Sequence, residues 1–134
     1  MAHEETTAPE IYEQMDGDLD AFVAGVGSGG TLTGVGRFFQ KVSPKTSIVA
    51  ADPVGSIIKD AVKTGTFKYD GGSWLVEGIG EDYIPTNCDL NVITDAISVS
   101  DKEAFEAIQL LLKKEGILAL SLIHISEPTR LLAI

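Results

Sequence analysis

At 134 residues, 44% hydrophobic and 22% charged, the chain has the size and composition of one folded domain or a piece of one. Ten Lys and Arg against 20 Asp and Glu leave a formal net charge of −10, which argues against a surface built to neutralise nucleic-acid phosphates or anionic lipid. No apolar stretch approaches the ~20 residues that span a bilayer, and Met1-Ala-His-Glu-Glu lacks the basic-then-apolar order of a signal peptide. The expectation is therefore a cytoplasmic protein with neither a nucleic-acid nor a membrane partner.

Glu4, Glu5, Glu10, Glu13, Asp16, Asp18 and Asp20 crowd the first twenty positions without a single Lys or Arg, and the remainder is nearly balanced. Thr7-Ala-Pro-Glu10 reads as a helix start, with a capping hydroxyl and an early proline, and Ile11, Tyr12 and Met15 follow at helical spacing until Gly17. Ala21–Ala24 is a short apolar run suited to a strand buried on both faces. Leu32, Val35, Phe38, Phe39 and Val42 recur at three- and four-residue intervals, predicting a helix from Gly30 to Val42 that Ser43-Pro44 stops. Ile48–Ala51 is the next buried strand, and Ser56–Val62 a short helix.

Gly65–Tyr83 reads as loop and turn with one strand near Trp74–Val76. Ala96–Val99 is another strand. Ser100-Asp-Lys-Glu103 is a capping box that opens a helix, with Ala104, Phe105, Ile108, Leu111 and Leu112 inward and Gly116 as its end. Strands alternating with helices at this spacing predict an α/β fold: three layers, a mostly parallel sheet with helices on both faces.

Six of the fourteen glycines fall within Gly25–Gly36, between a strand end and a helix start. Glycines there let backbone approach a ligand, and amides at a helix N-terminus, with the Ser28 and Thr31 hydroxyls, suit a phosphate. The plainer reading is a tight turn that needs glycine only for packing. Gly25-x-Gly27-x-x-Gly30 also fits a dinucleotide fingerprint, with Asp52 at the end of the next strand to hold a ribose, so an NAD-binding module is an alternative. Without a Gly-Lys-Ser/Thr after the glycines, a nucleoside-triphosphate loop is the poorer match.

Five segments then stand in order: Gly25-Val-Gly-Ser-Gly-Gly-Thr-Leu-Thr-Gly34, Ser43-Pro-Lys-Thr46, Ala51-Asp-Pro-Val-Gly-Ser56, Leu75-Val-Glu-Gly-Ile-Gly-Glu-Asp-Tyr-Ile-Pro85 and Ser98-Val-Ser-Asp-Lys-Glu-Ala-Phe105. Together they resemble the cysteine synthase and cystathionine β-synthase family, pyridoxal-phosphate enzymes of the tryptophan-synthase β fold, from about Ala2 to Ala119. The resemblance implies that Gly27, Ser28, Gly29, Gly30 and Thr31 bind the phosphate of pyridoxal 5'-phosphate, with Ser28 where the family usually has Thr. It implies that Gly78, Ile79 and Gly80 form the segment that leaves room for the amino-acid substrate.

Glu81-Asp82 is similar to the cystathionine-forming members, which implies a β-replacement joining serine and homocysteine. Cysteine formation from O-acetylserine and sulfide is the sister alternative. In complete members the Schiff-base lysine lies in the half that precedes this sequence, and Lys41, Lys45, Lys59, Lys63, Lys68, Lys102, Lys113 and Lys114 match no family lysine motif. No catalytic residue is therefore assigned within this chain, which is expected to be inert alone, and a homodimer is implied for the complete enzyme.

Residues 1–119 read as part of a catalytic domain. Leu120–Arg130 resembles the in-frame translation of a sequencing-library adapter, so residues 120–134 read as a non-native tail, and His124 within it is given no role. Cys88, the single cysteine, reads as a buried small hydrophobe and Trp74 as a packing residue. With His3 and His124 the only histidines and no second cysteine, no metal site is expected.

Overall fold

A computed structural model describes residues 2–119 of the chain. In order come α1 (Ala2–Glu5), α2 (Thr7–Gln14), β1 (Ala21–Gly25), α3 (Gly30–Val42), β2 (Ser47–Pro53), α4 (Ile58–Thr64), a 3-10 turn (Leu90–Val92), β3 (Asp95–Val99) and α5 (Asp101–Glu115). The three strands form one parallel sheet in the order β1-β2-β3. That agrees with the expected α/β class and parallel sheet, while Val23 and Ile97 leave one face of β1 and β3 exposed among the described residues instead of buried on both sides.

Register and residue size explain the packing. Ala24, Ala50 and Ala96 sit side by side across the three strands, because Ala24 pairs with Ala50 and Ala50 with Ala96. Three methyl groups in a row keep the covered face shallow, so that Leu32, Val35 and Phe39 of α3 and Ile58 of α4 join Ile48, Ala50 and Ala96 in one buried cluster. Helix α3 is itself closely enclosed: a Cβ at Gly34 would stand 2.8 Å from the Glu4 amide of α1, and one at Gly36 would stand 2.7 Å from Val92. Tyr12, Phe38 and Phe39 meet edge to face beside it, with centroids 5.5–6.1 Å apart. The alternate residues Val23 and Ile97 point to the other face of the sheet, where they are 54% and 47% exposed.

Several expectations need correcting. Thr7 does not cap the first long helix: the chain is already helical from Ala2, and the Thr7 hydroxyl lies 2.9 Å from Nδ1 of His3 instead. No strand forms at Trp74–Val76; the segment from Thr66 to Pro85 is irregular, bent by side-chain-to-backbone bonds rather than paired with a neighbour. The α5 capping box is present in full, the Ser100 hydroxyl accepting from the Glu103 amide and the Glu103 carboxylate accepting from the Ser100 amide. Its apolar stripe is inward only in part: Ala104, Phe105, Ile108 and Leu111 are half-buried, none in α5 is fully buried, and Leu112 is 46% exposed. The expectations for Leu120–Ile134 and His124 lie outside the described residues.

Candidate functional site

All three strands of a parallel sheet end on one edge, and that edge is where loops from different parts of the chain can meet over a ligand. Here Gly25–Gly29 leaves β1, Val54–Ile57 leaves β2, and the irregular Gly72–Glu81 stretch folds back over both. Gly80 N donates to Val26 O at 2.8 Å, so the two glycine-rich segments singled out in the sequence, far apart in the chain, lie directly against each other.

Each glycine has a separate steric reason. A Cβ at Gly25 would meet Ile79 at 2.6 Å, one at Gly27 would meet the Gly78 carbonyl oxygen at 2.3 Å, and one at Gly29 would meet Cys88 at 2.5 Å. Gly29 also holds φ at +80°, a left-handed conformation that suits glycine. These three contacts are packing, so the plainer reading of the glycine run holds for them. Gly30 differs, because a Cβ there would meet only the Ser28 hydroxyl, at 3.7 Å.

Beyond Gly30 lies the open end of α3. Its first-turn amides have no preceding helical carbonyl to bond, no side chain caps them, and the first turn carries no acidic residue. Ser28 is exposed at this end, and its hydroxyl has no hydrogen-bond partner among the described residues. Thr31 is half-buried, its Oγ1 3.4 Å from Nε2 of His3. Unspent amides, two hydroxyls and the positive end of a 13-residue helix fit an anionic phosphate. The chemistry of this donor set suits the group expected from the sequence.

The second segment is braced from two sides. Trp74 Nε1 donates to Ile79 O at 2.9 Å, and its ring covers Gly80, whose added Cβ would meet Trp74 at 2.8 Å and Pro53 at 2.3 Å. On the other side Ser56 Oγ accepts from Glu81 N at 2.9 Å and donates to Glu81 O at 3.1 Å. Trp74, expected as a packing residue, and Ser56, the end of the Ala51–Ser56 motif, both brace a segment in which the motifs assign them no role. The signal available in the sequence was the isolated Trp within an otherwise polar, glycine-rich stretch.

Electrostatics sharpen the assignment. Asp52, placed by the dinucleotide reading on a ribose, is 1% exposed, and its Oδ2 accepts the Lys59 amide at 2.8 Å at the start of α4. Burial raises its pKa, opposed by the Ser56 hydroxyl and the Lys59 amide. A buried carboxyl committed to a neighbouring helix does not reach a ribose, which corrects that alternative. Burial, with the Asp82 charge beside it, raises the Glu81 pKa too, whereas Asp82 stands exposed. Cys88 is buried as expected, its thiol pushed up by burial and by Asp89, the opposite of a thiolate poised for attack.

Four lysines are occupied elsewhere, in surface pairs: Lys41 with Glu4, Lys45 with Asp18, Lys63 with Asp95 and Lys102 with Glu106. No cluster of metal-binding side chains occurs among the described residues, and no helix there is long and apolar enough to cross a membrane.

The family described as pyridoxal-phosphate dependent enzyme matches residues 1–121. Cystathionine beta-synthase of Apis mellifera is 42% identical over 118 residues, covering 88% of this chain and 23% of that protein. Cysteine synthase A of Escherichia coli strain K12 is 42% identical over 120 residues, covering 87% of this chain and 36% of its own length. Cystathionine beta-synthase of Oryctolagus cuniculus is 41% identical, with 88% of this chain and 21% of that protein covered. The chain thus spans between about a fifth and about a third of the curated relatives it matches.

Proposed function

The chain belongs to the pyridoxal-phosphate dependent enzyme family, of the cystathionine beta-synthase and cysteine synthase type, and from that premise we propose that it supplies the phosphate cradle and one wall of the amino-acid site of a β-replacement enzyme. In this reading the first-turn amides of α3, with Ser28 and Thr31, hold the cofactor phosphate, while Gly27 and Gly29 let the loop close over Gly78 and Cys88. Gly78, Ile79 and Gly80 line the space for the amino acid, where any larger side chain at Gly80 would strike Pro53 and Trp74. The bound cofactor would supply an electron sink for the carbanion formed on the amino acid. Glu81 and Asp82 favour cystathionine formation from serine and homocysteine, with cysteine formation from O-acetylserine and sulfide as the second reading.

One observation supports the assignment above the others: the Gly80 amide bonded to the Val26 carbonyl joins both segments at the strand ends, beside the open end of α3. Residues 1–119 are proposed as part of a catalytic domain in a cytoplasmic enzyme that is a homodimer when complete, and residues 120–134 as a non-native tail. The chain alone is proposed to bind cofactor without turnover, because none of its lysines matches the family's Schiff-base lysine motif.

Calorimetric titration with pyridoxal 5'-phosphate should show binding that inorganic phosphate displaces and NAD does not. Absence of binding, or displacement by NAD, would reject the phosphate assignment. Turnover of serine and homocysteine by the purified chain with no complementing polypeptide would reject the claim of inertness. With a lysine-bearing complement, faster turnover of O-acetylserine and sulfide would replace cystathionine formation by the second reading.

A further inference from the structure

We infer that Ser56 is a positioning residue for the Gly78–Gly80 segment, acting through the backbone of Glu81; as a statement about the reaction, this rests on that segment being the amino-acid wall proposed above. Two glycines in the segment hold left-handed backbone, Gly78 at φ +80° and Gly80 at +83°, and neither belongs to a helix or strand that would supply its hydrogen bonds. Such a stretch samples many conformations unless neighbours fix it. Three consecutive residues are fixed here by three different parts of the chain. Ile79 O accepts from the Trp74 indole, Gly80 N donates to Val26 O, and Glu81 is held at both its amide and its carbonyl by the single hydroxyl of Ser56.

Ser56 is suited to this task because it is itself anchored. Its amide donates to Pro53 O at 3.0 Å, the last residue of β2, and the adjacent Ile57 amide donates to Glu81 O at 3.0 Å. The hydroxyl therefore transmits the position of the sheet edge to the residue following Gly80. It also takes a long bond from the Ile58 amide, 3.4 Å, and lies beside the Asp52 carboxyl, and it is not part of the apolar core cluster. Pro53 and Trp74 already restrict Gly80 from the other side. Without the hydroxyl, the Glu81 amide loses its partner and Glu81 keeps only the bond from the Ile57 amide to its carbonyl.

The test compares the full chain with Ser56→Ala and Ser56→Thr. Amide hydrogen exchange at Gly80 and Glu81 is expected to accelerate about tenfold in Ser56→Ala, to return within about twofold of the parent in Ser56→Thr, and to leave Val23–Gly25 of β1 unchanged. Trp74 is the single tryptophan, so its emission reports on the segment itself. Pyridoxal 5'-phosphate should quench that emission with the same affinity in all three proteins, while L-serine added to the loaded chain should bind about tenfold more weakly to Ser56→Ala alone.

Unchanged exchange at Glu81, equal acceleration in β1, or unaltered L-serine affinity would overturn the positioning role. A parent chain whose Trp74 does not respond to pyridoxal 5'-phosphate would overturn the functional reading instead, and the exchange comparison would still decide whether Ser56 fixes the segment.

Discussion

Gly27→Ala tests the junction of the two glycine segments most directly. Gly27 does not hold a left-handed backbone, so alanine costs nothing in conformation there, and the penalty is purely the collision of its Cβ with the Gly78 carbonyl oxygen at 2.3 Å. An ordinary carbon–oxygen approach needs roughly 1 Å more. Backbone cannot swing aside as a side-chain tip can, so the Gly78 segment must retreat. It then stretches the 2.8 Å bond from Gly80 N to Val26 O beyond useful length. Overpacking of this kind costs about 1–3 kcal/mol and the broken bond about 1 kcal/mol, so a loss of about 2–4 kcal/mol is expected.

Gly30→Ala is the matched control. It lies three positions along the same loop, where an added Cβ meets only the Ser28 hydroxyl at 3.7 Å and where alanine favours helix over glycine by about 1 kcal/mol. Urea unfolding followed by Trp74 emission should show Gly27→Ala with a lowered midpoint and a shifted native spectrum, and Gly30→Ala at or above the parent midpoint. Equal midpoints for the two variants would refute the argument that the segments are in contact.

Three further outcomes follow from named contacts. Thr31→Val should weaken pyridoxal 5'-phosphate about tenfold or more in calorimetric titration while leaving the urea midpoint within about 0.5 kcal/mol, since it removes one hydroxyl from the anion's donors. Because burial raises the pKa of Asp52, the folded chain binds its proton more readily than the unfolded chain. Its contribution is therefore most favourable below the ordinary carboxylate range and is lost as pH rises through the raised folded value. Asp52→Asn should flatten that dependence and add about 1 kcal/mol at pH 7, as read from urea midpoints at several pH values. Ser100→Ala removes one half of the α5 capping box, so amides of residues 101–106 should exchange faster while the Trp74 unfolding midpoint stays put, because no α5 residue is buried in the core.

Local rules carried much of this fold. The apolar spacing of Leu32, Val35 and Phe39 located α3, the capping box at Ser100 located the start of α5, and short apolar runs at Ala21–Ala24, Ile48–Ala51 and Ala96–Val99 located the strands. Local rules failed where the partner is distant in the chain. Thr7 looks like a cap because hydroxyl, proline and Glu10 are correctly spaced, but His3 competes for that hydroxyl and the preceding residues are already helical. Leu112 fits the inward stripe of α5 by periodicity alone, and periodicity does not say whether anything is packed against the stripe.

The candidate site was legible as two motifs, not as a place. The glycines announced a close approach without naming what approaches, and the structure assigns Gly25, Gly27 and Gly29 to contacts with Ile79, Gly78 and Cys88. Trp74 belongs to no motif, and Ser56 closes one that says nothing of what its hydroxyl meets. Their meaning lies in which carbonyl and which amide they face, and that depends on the folding of the irregular stretch between β2 and β3.

The uncovered face of the sheet has a consequence for how the protein behaves in bulk. Val23 and Ile97 present aliphatic surface on two outer strands of a three-stranded sheet, and such surface favours sticking of one copy to another. Opposing it is the formal charge of −10, whose repulsion reaches only about 10 Å at 0.1 M salt and about 3 Å at 1 M. Colloidal behaviour should therefore turn on ionic strength: dilute buffer at neutral pH keeps copies apart, and concentrated salt or acid brings the bare sheet faces within reach of each other.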